Sequence, residues 1–114
     1  MDRAEPVFLR RAANPDEIYL TASASGTLGL RNGCFMIGET SIVWPSNARL
    51  TRDDQGRISI LNTISGKSVR VGQPIAMGGG EVPRLEPGVL EDGASDLSQC
   101  SGPFFLADDQ FRPG

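Results

Sequence analysis

The chain has 114 residues, with 11 Arg and Lys against 14 Asp and Glu and no histidine. That length suits one domain around one core, and no apolar run approaches the ~20 residues that a membrane-crossing helix needs. Without histidine the usual base for a Ser or Cys nucleophile, the commonest zinc ligand and the neutral-pH proton shuttle are all missing. The sequence therefore predicts no catalytic residues, no metal and no cofactor.

Charge is unevenly spread. Residues 1–80 carry nine Arg/Lys against seven Asp/Glu, whereas residues 81–114 carry two against seven. The acidic stretch reads either as a solvated segment or as one that folds back over the weakly basic body. Nothing matches the basic bias of a dedicated nucleic-acid binder. Fourteen Gly and eight Pro favour short strands and turns over long helices.

Residues 1–17 read as an irregular lead-in, in which Val7-Phe8-Leu9 is a short strand or one helical turn and Asn14-Pro15 marks a turn. From Ile18 the spacing predicts a barrel core extending to residue 82. Ile18, Leu20, Ala22 and Ala24 alternate on one face, and Gly26 predicts a bend before Leu28 and Leu30. Asn32-Gly33 is a strong hairpin signal, followed by Cys34-Phe35-Met36-Ile37, a turn at Gly38-Glu39 and a strand over 40–44. Pro45 ends that strand because it cannot donate to a ladder. Alternation within it places Ile42 and Trp44 on one face and Val43 on the other.

Strands over 49–52 and 57–61 flank the loop Asp53-Asp54-Gln55-Gly56, and Ser65-Gly66-Lys67 turns into a strand over 68–71. Val69, Val71, Ile75 and Met77 are predicted to point inward. Gly78-Gly79-Gly80 reads as a bulge or corner where the chain leaves the barrel. Residues 83–114 then form a C-terminal wrap, with a helical turn expected near Ser95–Leu97 and a closing strand near 104–107. Short strands at this spacing predict an all-β domain, a small closed or partly open antiparallel barrel in preference to a sandwich.

The residues with chemical potential each have a structural reading beside the functional one. Lys67 with Ser65 and Ser68 has the composition of a Ser–Lys dyad, but reads first as a hairpin turn. Gly78, Gly79, Gly80 and Glu81 are candidate ligand-binding residues, since consecutive glycines can form an anion-binding nest. They lack the Lys-Ser/Thr of a P-loop. Trp44 is either a core plug or a stacking platform. Arg49, Arg52, Arg57 and Arg70, with Lys67, form a stripe that would suit single-stranded nucleic acid if Trp44 or Tyr19 were exposed beside it. Ordinary solvent-facing strand charges account for the same arginines. Cys34 and Cys100 are either two buried thiols or one disulfide, which would imply an oxidising compartment.

Gly33-Cys34, Trp44-Pro45, Val71-Gly72 and Gly78-Gly79-Gly80-Glu81 together resemble a group of small, uncharacterised bacterial domains. In those a Gly-Cys, a Trp-Pro and a late Gly-rich Glu segment recur, often behind an export or lipoprotein leader. The resemblance spans residues 26–107 and implies export, with no catalytic residues to transfer. Met1-Asp2-Arg3-Ala4-Glu5-Pro6 has no apolar leader core, which leaves a cytoplasmic location as the alternative to a periplasmic or secreted one. The strand pattern is also similar to an OB-fold. The expected function is a non-enzymatic binding or structural module of the bacterial envelope or exterior, with a protein or small ligand as partner. The alternative is an OB-type single-strand binder.

Overall fold

The computed structural model describes residues 8–10, 22–83, 100 and 102–114. The expectations for Ile18, Tyr19, Leu20, Asn14-Pro15 and the turn near Ser95–Leu97 lie outside these residues. Among the described residues there is no helix, and the chain is all-β, as its alternation predicts. The described residues form ten strands: β1 (Ala22–Thr27), β2 (Gly29–Arg31), β3 (Cys34–Ile37), β4 (Thr40–Val43), β5 (Ala48–Arg52), β6 (Ile58–Asn62), β7 (Ser68–Arg70), β8 (Pro74–Val82), β9 (Phe104–Ala107) and β10 (Arg112–Pro113).

Seven of them make a curled sheet in the order β1-β8-β9-β4-β3-β2, with β10 also on β8. The remaining three form a small antiparallel sheet, β5-β6-β7. One pair departs from the antiparallel expectation: β4 and β9 run parallel, with Ile42 opposite Phe105. The curl brings β1 toward β3 so closely that a Cβ on Gly26 would lie 2.7 Å from Ile37 Cγ2. The large sheet is thus a partly open barrel, and the small sheet covers part of its inner face.

Local chemistry explains the hairpins. Asn32 and Gly33 adopt φ of 52° and 83°, the pair of positive values that a two-residue turn between twisted strands requires. Asp53 organises the β5–β6 loop by accepting from the Gln55 and Arg57 backbone N–H groups at 2.9 and 2.8 Å. Arg57 Nε lies 3.2 Å from the second Asp53 oxygen.

Period-two burial divides the sheet into two apolar faces. The inner face and the small sheet share the main core, which includes Leu28, Phe35, Ile42, Trp44, Ile60, Val69, Ile75, Met77, Phe105 and Phe111. Trp44 is its centre, with ring centroids of Phe111, Phe35 and Phe8 at 5.1, 5.9 and 6.4 Å. The Phe111 and Phe35 rings meet it edge-on and the Phe8 ring is tilted by 33°; edge-on aromatic pairs are worth about 0.5–1.5 kcal/mol each beyond their burial. The outer face holds Leu9, Cys34, Val43, Cys100, Phe104 and Leu106. As the alternation predicts, Ile42 and Trp44 belong to one cluster and Val43 to the other.

Cys34 and Cys100 form a disulfide, with Cα atoms 5.8 Å apart across a separation of 66 residues. It fastens the outer face where β3 begins. Segment 8–10 joins the same sheet, for the Trp44 N–H donates to the Leu9 carbonyl at 2.8 Å.

The expectation for Gly78-Gly79-Gly80 is corrected. These residues do not form a corner; they lie inside β8, the longest strand, between partners on both sides. Gly79 opposes Ala22 of β1 and Ala107 of β9. Its φ is 141°, and a Cβ there would overlap the Leu106 carbonyl oxygen. Glycine is needed for close approach of β9, not for a turn.

Candidate functional site

The small sheet covers only part of the inner face. A hollow of about 180 Å³ opens at the mouth of the barrel, lined by Ala22, Ser23, Ala24, Ile37, Thr40, Ile42, Met77, Glu81 and Phe105, none of them from the small sheet. Strand register puts these side chains together. Ala24 pairs with Met77, Glu81 with Phe105, Phe105 with Ile42, and Ile37 with Thr40, so they form a connected patch across five strands. Ala22 and Ala24 leave the space because they are small; Met77 and Phe105 form the floor.

The chemistry of the hollow is apolar with a polar rim. Ser23 and Thr40 contribute hydroxyls, and the exposed Glu81 contributes the carboxylate at the edge. No cation faces Glu81 in an ion pair among the described residues. An apolar recess beside a solvent-exposed carboxylate suits a group that is greasy at one end and cationic at the other.

The predicted site residues are distributed unevenly around this hollow. Glu81 lies on its rim. Gly78, Gly79 and Gly80 run past it as strand, with the Gly78 carbonyl accepting from the Asp108 N–H at 2.8 Å, so they form no nest. Of the two readings of Trp44 the structure selects the core plug over the stacking platform and ligand-binding role: its relative exposure is 0%. Its indole Nε1 is buried without a hydrogen-bond partner among the described residues.

The arginines lie elsewhere, on the small sheet. Arg49 opposes Leu61 and Arg70 opposes Ser59, which places both on its outer face. Arg49 Nη1 donates to the Ser46 and Ala48 carbonyls, both at 2.9 Å. Arg57 is engaged by Asp53 and by Gln55. Arg52, at the end of β5, opposes Ile58 and has the opposite parity to Arg49. Arg49 and Arg70 share that face but stand on β5 and β7, on opposite sides of β6, with no aromatic ring among the described residues of the face.

Two features escape a reading of the sequence. The lining residues Ala22, Ala24, Ile37, Ile42, Met77 and Phe105 have the pattern of ordinary core, and Ile42, Met77 and Phe105 are buried as that pattern predicts, so the hollow above them is set by how the strands meet. Asn62, 1% exposed, is the other. Its Nδ2 donates to the Asp109 and Phe111 carbonyls at 2.9 and 3.0 Å. Its Oδ1 accepts from Asn47 Nδ2 and from the Ile64 and Ser65 backbone N–H groups at 2.9, 2.9 and 3.1 Å. That one amide ties the β6–β7 turn to the C-terminal segment. Among the described residues no group of three or more His, Cys, Asp or Glu is placed to hold a metal ion. Comparison with family models, with curated proteins and with solved structures returns no match, so the site rests on its own geometry.

Proposed function

We propose that this domain is a non-enzymatic binding module of the bacterial envelope or exterior, and that it binds through the hollow at the barrel mouth. The observation that carries this reading is the apolar recess with a carboxylate at its rim, formed by side chains that β-sheet register holds in place. A rigid, preformed recess binds with little ordering cost. The disulfide supports an oxidising compartment, where such bonds persist. The resemblance of the Gly-Cys, Trp-Pro and Gly-Gly-Gly-Glu segments to exported bacterial domains points the same way.

The size of the hollow limits its ligand. Pockets for drug-sized molecules and cofactors run to roughly 300–1,000 Å³. At about 180 Å³ this one accommodates a single side chain or a small fragment. A methyl-resolved NMR titration with n-butylammonium, n-butanol and n-butyrate tests the reading. The ammonium is expected to shift the Met77 and Ile42 methyl signals at the lowest concentration and the carboxylate at the highest. Absence of shifts with all three, or the reverse order, refutes it.

A further inference from the structure

We infer that the ligand is an extended polypeptide, which adds as a strand to the free edge of β1 and seats one side chain in the hollow. This rests on the hollow being the binding site and names its occupant. The first observation is the direction of the β1 backbone groups. The Gly78 carbonyl accepts from Asp108, and the Pro74 carbonyl accepts from Gly114, both on the side of β8 away from β1. Gly78 and Pro74 oppose Ser23 and Thr27. In an antiparallel ladder a residue points its N–H and C=O to one side, and pairs alternate between bonded and non-bonded. Ser23, Ser25 and Thr27 therefore direct both groups away from β8.

On that outer side the same line of chain continues into β2, where Gly29 opposes Met36 of β3. But β3 ends at Ile37 and turns at Gly38-Glu39. The hairpin stops short of Ser25 and Ser23, whose outward groups have no backbone partner among the described residues. The edge is also unprotected in its chemistry: Ala22–Thr27 contains no charge and no proline, the usual devices against edge pairing.

The second observation is the recess beside that edge. Ala22, Ser23 and Ala24 line it, so a strand added to β1 would direct alternate side chains over it. Its volume fits one side chain, and Glu81 at the rim favours a Lys or Arg two residues along on the same face. Strand addition of this kind takes affinity from main-chain bonds and specificity from pockets for alternate side chains. A lone extended peptide fits better than β1 of a second copy. The curl carries Ile37 over Gly26, and that overhang leaves little room for a folded body.

The probe is an acetylated, amidated heptapeptide, Thr-Val-Thr-Leu-Thr-Lys-Thr, used with two versions N-methylated at alternate amides in the two possible phases. Four results are expected of the whole chain. The peptide slows hydrogen exchange of the Ser23 and Ser25 amides and shifts the Met77 methyl. One N-methylated phase loses binding and the other keeps it. Glu81→Gln weakens binding about two- to fivefold, the scale of an exposed ion pair. Ser25→Pro, which removes an outward N–H and no internal bond, weakens it about tenfold or more. A thermal melt checks that this variant folds, and the N-methylated peptides give the same test with the chain unaltered.

If n-butylammonium shifts the Met77 methyl but the peptide leaves Ser23 and Ser25 unprotected, strand addition is wrong and the hollow remains a binding site. If neither probe has an effect, both readings fail. Equal binding by both N-methylated phases, or protection of Ser23 and Ser25 only as a sedimenting dimer without peptide, overturns the peptide as occupant.

Discussion

Replacing Asn62 tests how the domain holds its C-terminal segment. The side-chain amide makes five hydrogen bonds, two donated and three accepted, and their polarity fixes its orientation, because the nitrogen faces two carbonyls and the oxygen faces two backbone N–H groups. At about 1 kcal/mol net per bond, the ceiling on losing them all is about 5 kcal/mol. Ile64, Ser65 and Asp109 are exposed, so water can reach their freed groups, whereas the Phe111 carbonyl bond is buried. Asn62→Ala is therefore expected to cost about 3 kcal/mol. For a domain of this size that lowers Tm by about 10–15 °C.

Asn62→Asp separates hydrogen bonding from packing. It keeps the accepting oxygen but turns the other end toward two carbonyls as a second acceptor. The ionised form is disfavoured in the fold, which raises the folded pKa above its unfolded value. The variant's deficit must then be smallest below about pH 4, where both states are protonated, and grow as pH rises. Urea unfolding at several pH values measures this. Exchange of the Arg112 amide, in β10, shows whether the C-terminal segment is released first. A loss under 1 kcal/mol for Asn62→Ala, or a pH-independent deficit for Asn62→Asp, would refute the assignment of Asn62 as the tie.

Three other perturbations have defined outcomes. Replacing both cysteines with Ala frees a loop of 66 residues, which on the chain-entropy model costs about 4 kcal/mol; denaturant unfolding that is unchanged by the substitution would contradict it. Gly79→Ala combines a φ of 141° with overlap on the Leu106 carbonyl, so a loss of about 3 kcal/mol or more is expected in thermal melts, while Gly72→Ala, with open space around it, costs less. The Asp53 carboxyl is held below 3.8 chiefly by the Arg57 backbone N–H, with the Gln55 N–H and the Arg57 charge adding to it. Because the folded value is the lower one, its stabilisation is present above pH 3.8 and fades as pH falls through the folded value; an NMR titration of Asp53 in the Asp range or above would contradict this.

What the sequence makes legible here is local. Asn32-Gly33 requires positive φ at two successive residues, and few other dipeptides supply it. Pro45 and Asp53 act on their immediate neighbours, and alternation separates Trp44 from Val43 without reference to anything distant. The misreadings share one cause, which is that partners far along the chain decide the outcome. Three consecutive glycines carry the local signature of a corner, yet Gly79 sits mid-strand because β9 approaches it from residues 106 and 107. The parallel pairing of β4 with β9 joins segments about 60 residues apart and leaves no mark in either. Asn62 has the composition of a turn former, and its second role depends on the arrival of residues 109–111. Of the candidate ligand residues, Glu81 alone reaches the hollow, and the remaining lining has the alternation of ordinary core, which carries no local signal of a recess.

The two faces of the curled sheet explain why the opening lies where it does. On the outer face the disulfide and the packing of Phe104 and Leu106 against Val43 and Leu9 close the surface. On the inner face the small sheet packs over the core that holds Trp44, and none of its residues lines the recess at the barrel mouth. A third layer long enough to reach Ala22 and Glu81 would fill the recess with its own side chains. The recess and the early turn of β3 at Gly38 thus lie beside the same strand, β1. One offers an apolar pocket, the other leaves the backbone of β1 unpaired beside it, and an extended chain is the one common structural element that satisfies both at once.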